Sequence, residues 1–249
     1  MKNVTRGLAV AGLIVCWAQA AAAQTVDEIV EKHLAAIGGR AVLAKVTSRS
    51  MTGTITVATP VGEVSGPIEI VNQSPNKTRM LVTLDLSSLG AGKMVLEERF
   101  DGTSGYVMDT MQGNREMAGA QLENSRNETF PTPLLDYKDR GHALELVGKE
   151  KVGDREAYLL VLKPKSGPPI RRFIDAESFL ETRLVSTASA PEVGDFEQTV
   201  DLLDYRQVDG VRVPFMIKGT STAQNFTVTF ATVVHNQTIE QALFSRPAN

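Results

Sequence analysis

Cysteine and tryptophan are almost missing from this chain, one of each in 249 residues, and they stand side by side as Cys16 and Trp17. A single cysteine excludes any intrachain disulfide and any cysteine-built zinc site. Histidine is also sparse. His33, His142 and His235 are far apart in sequence, and no two have metal-ligand spacing. Excess positive charge is lacking too, with 26 basic residues against 29 acidic. That balance argues against nucleic acid, which is held by a basic surface, and it offers no polybasic patch for anionic lipid. No Gly-x-Ser-x-Gly elbow and no glycine-rich phosphate cradle occurs. Glu97-Glu98 is the best carboxylate pair, but neighbouring residues of a strand point to opposite faces and cannot share a substrate. No cofactor and no metal is expected.

The first 23 residues read as a secretory signal peptide. Lys2 and Arg6 form a basic start, Leu8 to Trp17 an apolar middle, and Ala21-Ala22-Ala23 a small-residue cleavage site. The apolar middle spans ten residues, against the roughly 20 a membrane-crossing helix needs. Val15 before Cys16 is not the small residue that lipoprotein cleavage requires. Cleavage after Ala23 leaves residues 24–249 as one domain in the periplasm, exported by the general secretory pathway. It has no transmembrane segment and carries 24 basic against 29 acidic groups.

What is present is mostly β pattern. Thr25 followed by Glu28 is a capping box, and Val26, Ile29, Val30, Leu34 and Ile37 make one helical stripe that ends at Gly38-Gly39. From Thr47 the period changes to two, and strands alternate apolar and polar residues between short turns. The strongest hairpin signal is Asp204-Tyr205-Arg206-Gln207-Val208-Asp209-Gly210-Val211-Arg212-Val213-Pro214-Phe215, two β-forming runs joined by Asp-Gly. Hairpin-length links predict one curved antiparallel sheet of about ten or eleven strands, with helix 26–37 on its concave face. The fold class expected is mainly β with a few helices, an incomplete barrel.

Residues 112–141 break the rhythm, with Pro131, Pro133 and a helix-compatible stretch from Glu116 to Glu128. Long insertions in tight meanders are commonly functional, and Met117, Leu122, Phe130, Leu134 and Leu135 supply an apolar side for a lid. The inner face of such a sheet exceeds what one short helix can cover. Methionines, which suit adaptable apolar surfaces, cluster in the first half at Met80, Met94, Met108, Met111 and Met117. The expected cavity wall is Met80, Val82, Leu84, Met94, Leu96, Phe100, Met108, Val213, Phe215 and Ile217.

Four segments together carry a family likeness: residues 26–39, Ser74-Pro75-Asn76-Lys77, Phe100-Asp101-Gly102, and Asp204 to Phe215. In this order they make a chain that resembles the bacterial outer-membrane lipoprotein-sorting proteins, related to the periplasmic lipoprotein carriers of the Lol system. The resemblance implies an incomplete antiparallel barrel closed by helices over a hydrophobic cavity for acyl chains. It also implies a lipoprotein or lipid cargo and membrane-bound donor or acceptor proteins. Carriers of that kind pin the helical lid with an arginine, for which Arg99, Arg126 and Arg140 are candidates by location. The expected function is a non-enzymatic carrier or receptor. The alternatives are a regulatory sensor of mislocalised lipoproteins that acts through a protein partner, and a hydrolase using His142 or His235.

Overall fold

A computed structural model describes residues 24–190 and 193–247; the signal-peptide assignment to 1–23 lies outside them. Two short helices come first, α1 (Val26–Ala36) and α2 (Arg40–Leu43). The first meander is β1 (Ser48–Thr59), β2 (Gly62–Gln73), β3 (Lys77–Asp85), β4 (Lys93–Phe100), β5 (Gly105–Asp109) and β6 (Arg115–Glu116). Helix α3 (Gly119–Asn127) and a 3-10 turn (Pro133–Leu135) follow. The second meander is β7 (Ala143–Val152), β8 (Arg155–Lys163), β9 (Ile170–Asp175), β10 (Glu181–Ala190), β11 (Gly194–Val208), β12 (Val211–Ser221) and β13 (Asn225–His235).

All thirteen strands form one antiparallel sheet in the order β6-β5-β4-β3-β2-β1-β13-β12-β11-β10-β9-β8-β7. Every neighbour is a sequence neighbour except one. The first and last strands pair with each other, Arg49 opposite His235 and Val57 opposite Phe226, and this joins the two meanders into a single sheet. Its two edges are therefore β6 and β7, consecutive in the chain, and the sheet stays open between them. The expected ten or eleven strands become thirteen partly through β6. Only Tyr106–Glu116 and Val107–Arg115 pairing defines that two-residue strand; it has no hydrophobic pattern to be read.

Alternation sorts the faces as the sequence suggests. On β1, Met51, Ile55 and Val57 are buried while Thr52 and Thr54 are exposed. The opposed residues Val82, Leu84, Val213, Val228 and Phe230 belong to the same inner core. A smaller cluster of Ala157, Leu159, Phe173 and Val185 sits apart from it.

Helix α1 fills part of the concavity. Thr25 caps it through Oγ1, which accepts from the Glu28 amide, while the Glu28 carboxylate accepts from the Thr25 amide. Ile29, Val30 and Leu34 are fully buried, each contributing about 1.5–3 kcal/mol by leaving water. The helix ends where the Ile37 carbonyl accepts from the Arg212 amide at 3.0 Å, at the start of β12. Gly38 makes that joint with φ +136°, and a Cβ there would lie 2.7 Å from the Gly210 carbonyl oxygen. The Gly-Gly helix stop and the Asp-Gly hairpin, far apart in sequence, thus lock against each other.

Candidate functional site

The chain between β6 and β7 must connect the two edges of one curled sheet, so it crosses the open side. Helix α3 does this within one turn-and-a-half of its length. On one flank Gln121 donates to Glu98 on β4 at 2.9 Å, and the Arg126 guanidinium donates to the Thr103 carbonyl. On the other flank Asn124 donates to the Thr187 carbonyl of β10 at 2.6 Å, and Asn127 to the Ser166 carbonyl at 2.8 Å. These contacts are polar and few. The helical stretch is Gly119–Asn127 rather than Glu116 to Glu128, because Arg115–Glu116 is drawn into the sheet edge.

Four of the five apolar residues expected on this segment, Met117, Phe130, Leu134 and Leu135, pack inward to different depths, and Leu122 joins no core cluster among the described residues. Met117 is buried against Gly105, and Leu134 is completely buried and packed in the main core near α1. Leu122, Phe130 and Leu135 are half-buried. The segment is tied down at its ends by the Phe130 amide donating to the Pro75 carbonyl at 2.7 Å and by Tyr137 donating to Asp27 at 3.0 Å.

Two clefts lie beneath it. One, of about 370 Å³, runs between the α3 segment and strands β1, β2, β3 and β10, with Arg49, Asn72, Lys77, Thr78, Asn124 and Phe130 among its lining. The second, of about 220 Å³, runs deeper towards α1 and β12, among Ile37, Leu43, Met51, Val211, Val213 and Phe230 on one side. Arg49, Glu128, Pro131 and Leu184 line both, so the two adjoin.

Of the ten wall residues read from the sequence, Val213 and Ile217 line the deeper cleft. Val82, Leu84, Val213 and Phe215 are buried in the core, and Met80, Met94, Leu96 and Ile217 are half-buried against it. Phe100 is fully buried. Met108 stands opposite Glu97. Leu96 and Glu98 take the other face of β4, so Met108 shares the outer face with the Arg79–Glu97–Arg99 ion cluster.

Polar groups in the deeper cleft were not legible as a site. Arg172, 2% exposed, donates through Nη1 to both carboxylate oxygens of Glu181 at 3.0 and 3.1 Å and through Nη2 to Glu128 at 3.0 Å. Its Nε has no partner among the described residues. Burial pushes the Glu181 carboxyl up, and Arg172 opposes that shift. Glu128 is pushed the same way, but its side chain is 57% open to the cleft, and water there offsets much of the effect. The Tyr205 hydroxyl donates to the Glu181 carbonyl at 2.7 Å. A signal for this cluster existed in Arg171-Arg172, since successive strand residues point oppositely and one of the two must face in. Arg171 takes the outer face, with Glu197.

Arginines that meet the crossing segment from the sheet include Arg49, whose guanidinium lies 5.1 Å from the Phe130 ring centre, Arg172, through Glu128, and Arg115 of β6, which donates to Gln121 at 2.7 Å. Arg126 and Arg140 belong to the segment itself, Arg140 donating to the Arg126 carbonyl. Arg99 lies on the outer face and donates to the Ala242 and Ser245 carbonyls.

The histidines have structural partners. His33 is buried, and its Nδ1 donates to the Phe179 carbonyl at 2.9 Å; burial lowers its pKa to about 4. His142 accepts from the Lys165 amide. His235 accepts at Nε2 from Arg49 Nε at 3.0 Å and directs Nδ1 at Asp209, 3.3 Å away. Among the described residues, no serine or threonine hydroxyl is bonded to either His142 or His235. Among the described residues, no cluster of three or more His, Cys, Asp or Glu is placed to hold a metal ion, and no helix is long and apolar enough to cross a membrane.

No protein-family model and no curated protein matches the chain by sequence. Solved structures match it by shape. A LolA superfamily protein from Nitrosomonas europaea aligns over 90% of this chain and 99% of its own, with a TM-score of 0.57 at 11% identity. An assigned outer membrane lipoprotein-sorting protein domain from Vibrio parahaemolyticus aligns over 87% and 94%, with a TM-score of 0.55 at 8% identity. At such identities the likeness is one of fold: an open, curled antiparallel sheet with helices across its mouth, the architecture of LolA superfamily and lipoprotein-sorting proteins.

Proposed function

We propose that this protein is a non-enzymatic periplasmic carrier or receptor that takes an acylated or lipidic ligand between its curled sheet and the segment 117–137. The observation that carries the reading is the crossing of α3 over the open mouth, held by scattered polar contacts above two adjoining clefts. A segment tied this way can swing aside without unpairing a strand, as entry and release of an apolar cargo require. The shape likeness to a LolA superfamily protein and a lipoprotein-sorting domain supports the same reading.

Val213 and Ile217 supply the existing apolar wall. Met80, Val82, Leu84, Met94 and Leu96 continue it along the inner face of β3 and β4, where a longer chain would lodge once α3 lifts. Flexible thioethers at Met80 and Met94 suit such repacking. Cargo would be delivered in lipoprotein sorting to the outer membrane, received from and passed to membrane-bound partners.

Native mass spectrometry of the protein purified from its own periplasm tests this. A co-purifying lipid or acylated peptide is the expected result. Ligand-free protein that also fails to take up a fluorescent acyl probe would overturn it, and turnover of an ester abolished by His142→Ala would favour a hydrolase instead.

A further inference from the structure

The clefts differ in chemistry along their length, and the difference centres on Arg49. Its Nε is committed to His235, yet no carboxylate forms a salt bridge with it among the described residues. His235 cannot neutralise it. Because Nε2 accepts from Arg49, the ring proton sits on Nδ1 facing Asp209, and the imidazole is neutral. The guanidinium is half-buried, and burial lowers its pKa to about 10, which leaves it charged at neutral pH. Its terminal amino groups have no hydrogen-bond partner among the described residues, and the side chain lines both clefts. A partly buried cation without a counter-ion is an open place for an anion.

Its surroundings on the wider side are also short of negative charge. Lys77 borders this cleft but shares the outer face of β3 with Arg79, where it bonds Gln241 and lies near Asp101. Asn72, Thr78, Ser125 and Ser186 are neutral, and the one carboxylate on the wall, Glu128, is held by Arg172. Asn124 Oδ1 is a buried acceptor with no partner there. On the other side of Arg49 one wall is apolar, Met51, Val211, Val213, Ile217 and Phe230, and the Arg172–Glu181 pair and Tyr205 also line this cleft.

We infer that the cleft binds an anionic amphiphile, with its phosphate or carboxylate on Arg49, a headgroup hydroxyl or amide near Asn124, and its acyl chain running towards β12. This deepens the carrier reading and rests on it. It narrows the ligand class from any apolar molecule to lipids with a negative head.

Lysophosphatidylglycerol and lysophosphatidylcholine of the same acyl chain serve as probes, in titrations of the purified protein. The anionic lipid should bind about tenfold more tightly, as expected for one charge-assisted contact, and Arg49→Gln should bring its affinity down to that of the choline lipid. Arg49→Lys should keep most of the preference. Raising the ionic strength should weaken binding of the anionic lipid to the unchanged protein by about two- to threefold and leave the choline lipid unaffected, an independent arm should Arg49→Gln fail to fold. Binding of neither lipid would overturn the carrier reading itself. Equal binding of both, or a preference that survives both Arg49→Gln and added salt, would overturn only the anion site. Displacement of the anionic lipid by free glycerol phosphate at similar concentration would show a site for a water-soluble anion, and would overturn the amphiphile assignment.

Discussion

Arg172 and Glu181 meet inside the molecule, one guanidinium nitrogen reaching both carboxylate oxygens at 3.0 and 3.1 Å with both residues buried. Such a pair is a weak source of net stability, because desolvating two charges costs about what their attraction returns. Removing one partner is different, since the other charge is left buried alone.

Arg172→Met is therefore expected to destabilise the protein by about 3–5 kcal/mol. Arg172→Met combined with Glu181→Leu should recover much of that loss, a coupling that urea denaturation of the two single variants and the double can measure. Additive single effects would mean that the pair does not act as a unit.

The stability of the protein should fall in mild acid because of His33. Its folded pKa of about 4 lies below the ordinary value of 6.5, so the unfolded chain binds a proton first. Stability is complete above pH 6.5 and is lost as pH falls towards 4. By pH 5 the loss from this group alone is about 2 kcal/mol. Denaturant midpoints at pH 7.5 and 5 should show it, and His33→Gln should flatten the difference.

Gly38→Ala should cost more than about 1 kcal/mol, since alanine is strained at φ +136° and its Cβ would press on the Gly210 carbonyl. Gly39→Ala is the useful comparison. It is strained by its φ of +85° but meets no atom within 4 Å, so the excess at Gly38 measures the contact between helix end and hairpin. Equal losses would leave backbone strain as the whole effect.

The crossing segment should open more readily than the sheet. Amides of 117–137 are expected to exchange with solvent faster than those of β11–β13, and to slow when lipid is bound, because few of its backbone groups are tied to strands. Protection equal to that of the strands and unchanged by ligand would make the segment a fixed cap.

Period-two alternation, the Asp-Gly hairpin, the Thr25–Glu28 capping box and the break at 112–141 were all readable from the chain, because each depends on residues close in sequence. They determine the helix at the start, an antiparallel sheet and a crossing segment that is not strand. Tertiary structure alone decided the rest. Pairing of β1 with β13 places Arg49 beside His235, 186 positions away. Curling of the sheet brings Glu128 to Arg172 and Glu181. Met108 looked equivalent to Met80 and Met94, yet the β4–β5 register puts it on the outer face with Glu97. In a strand a shift of one position exchanges the faces, and no local pattern reveals which charged residue the curved sheet will carry inside.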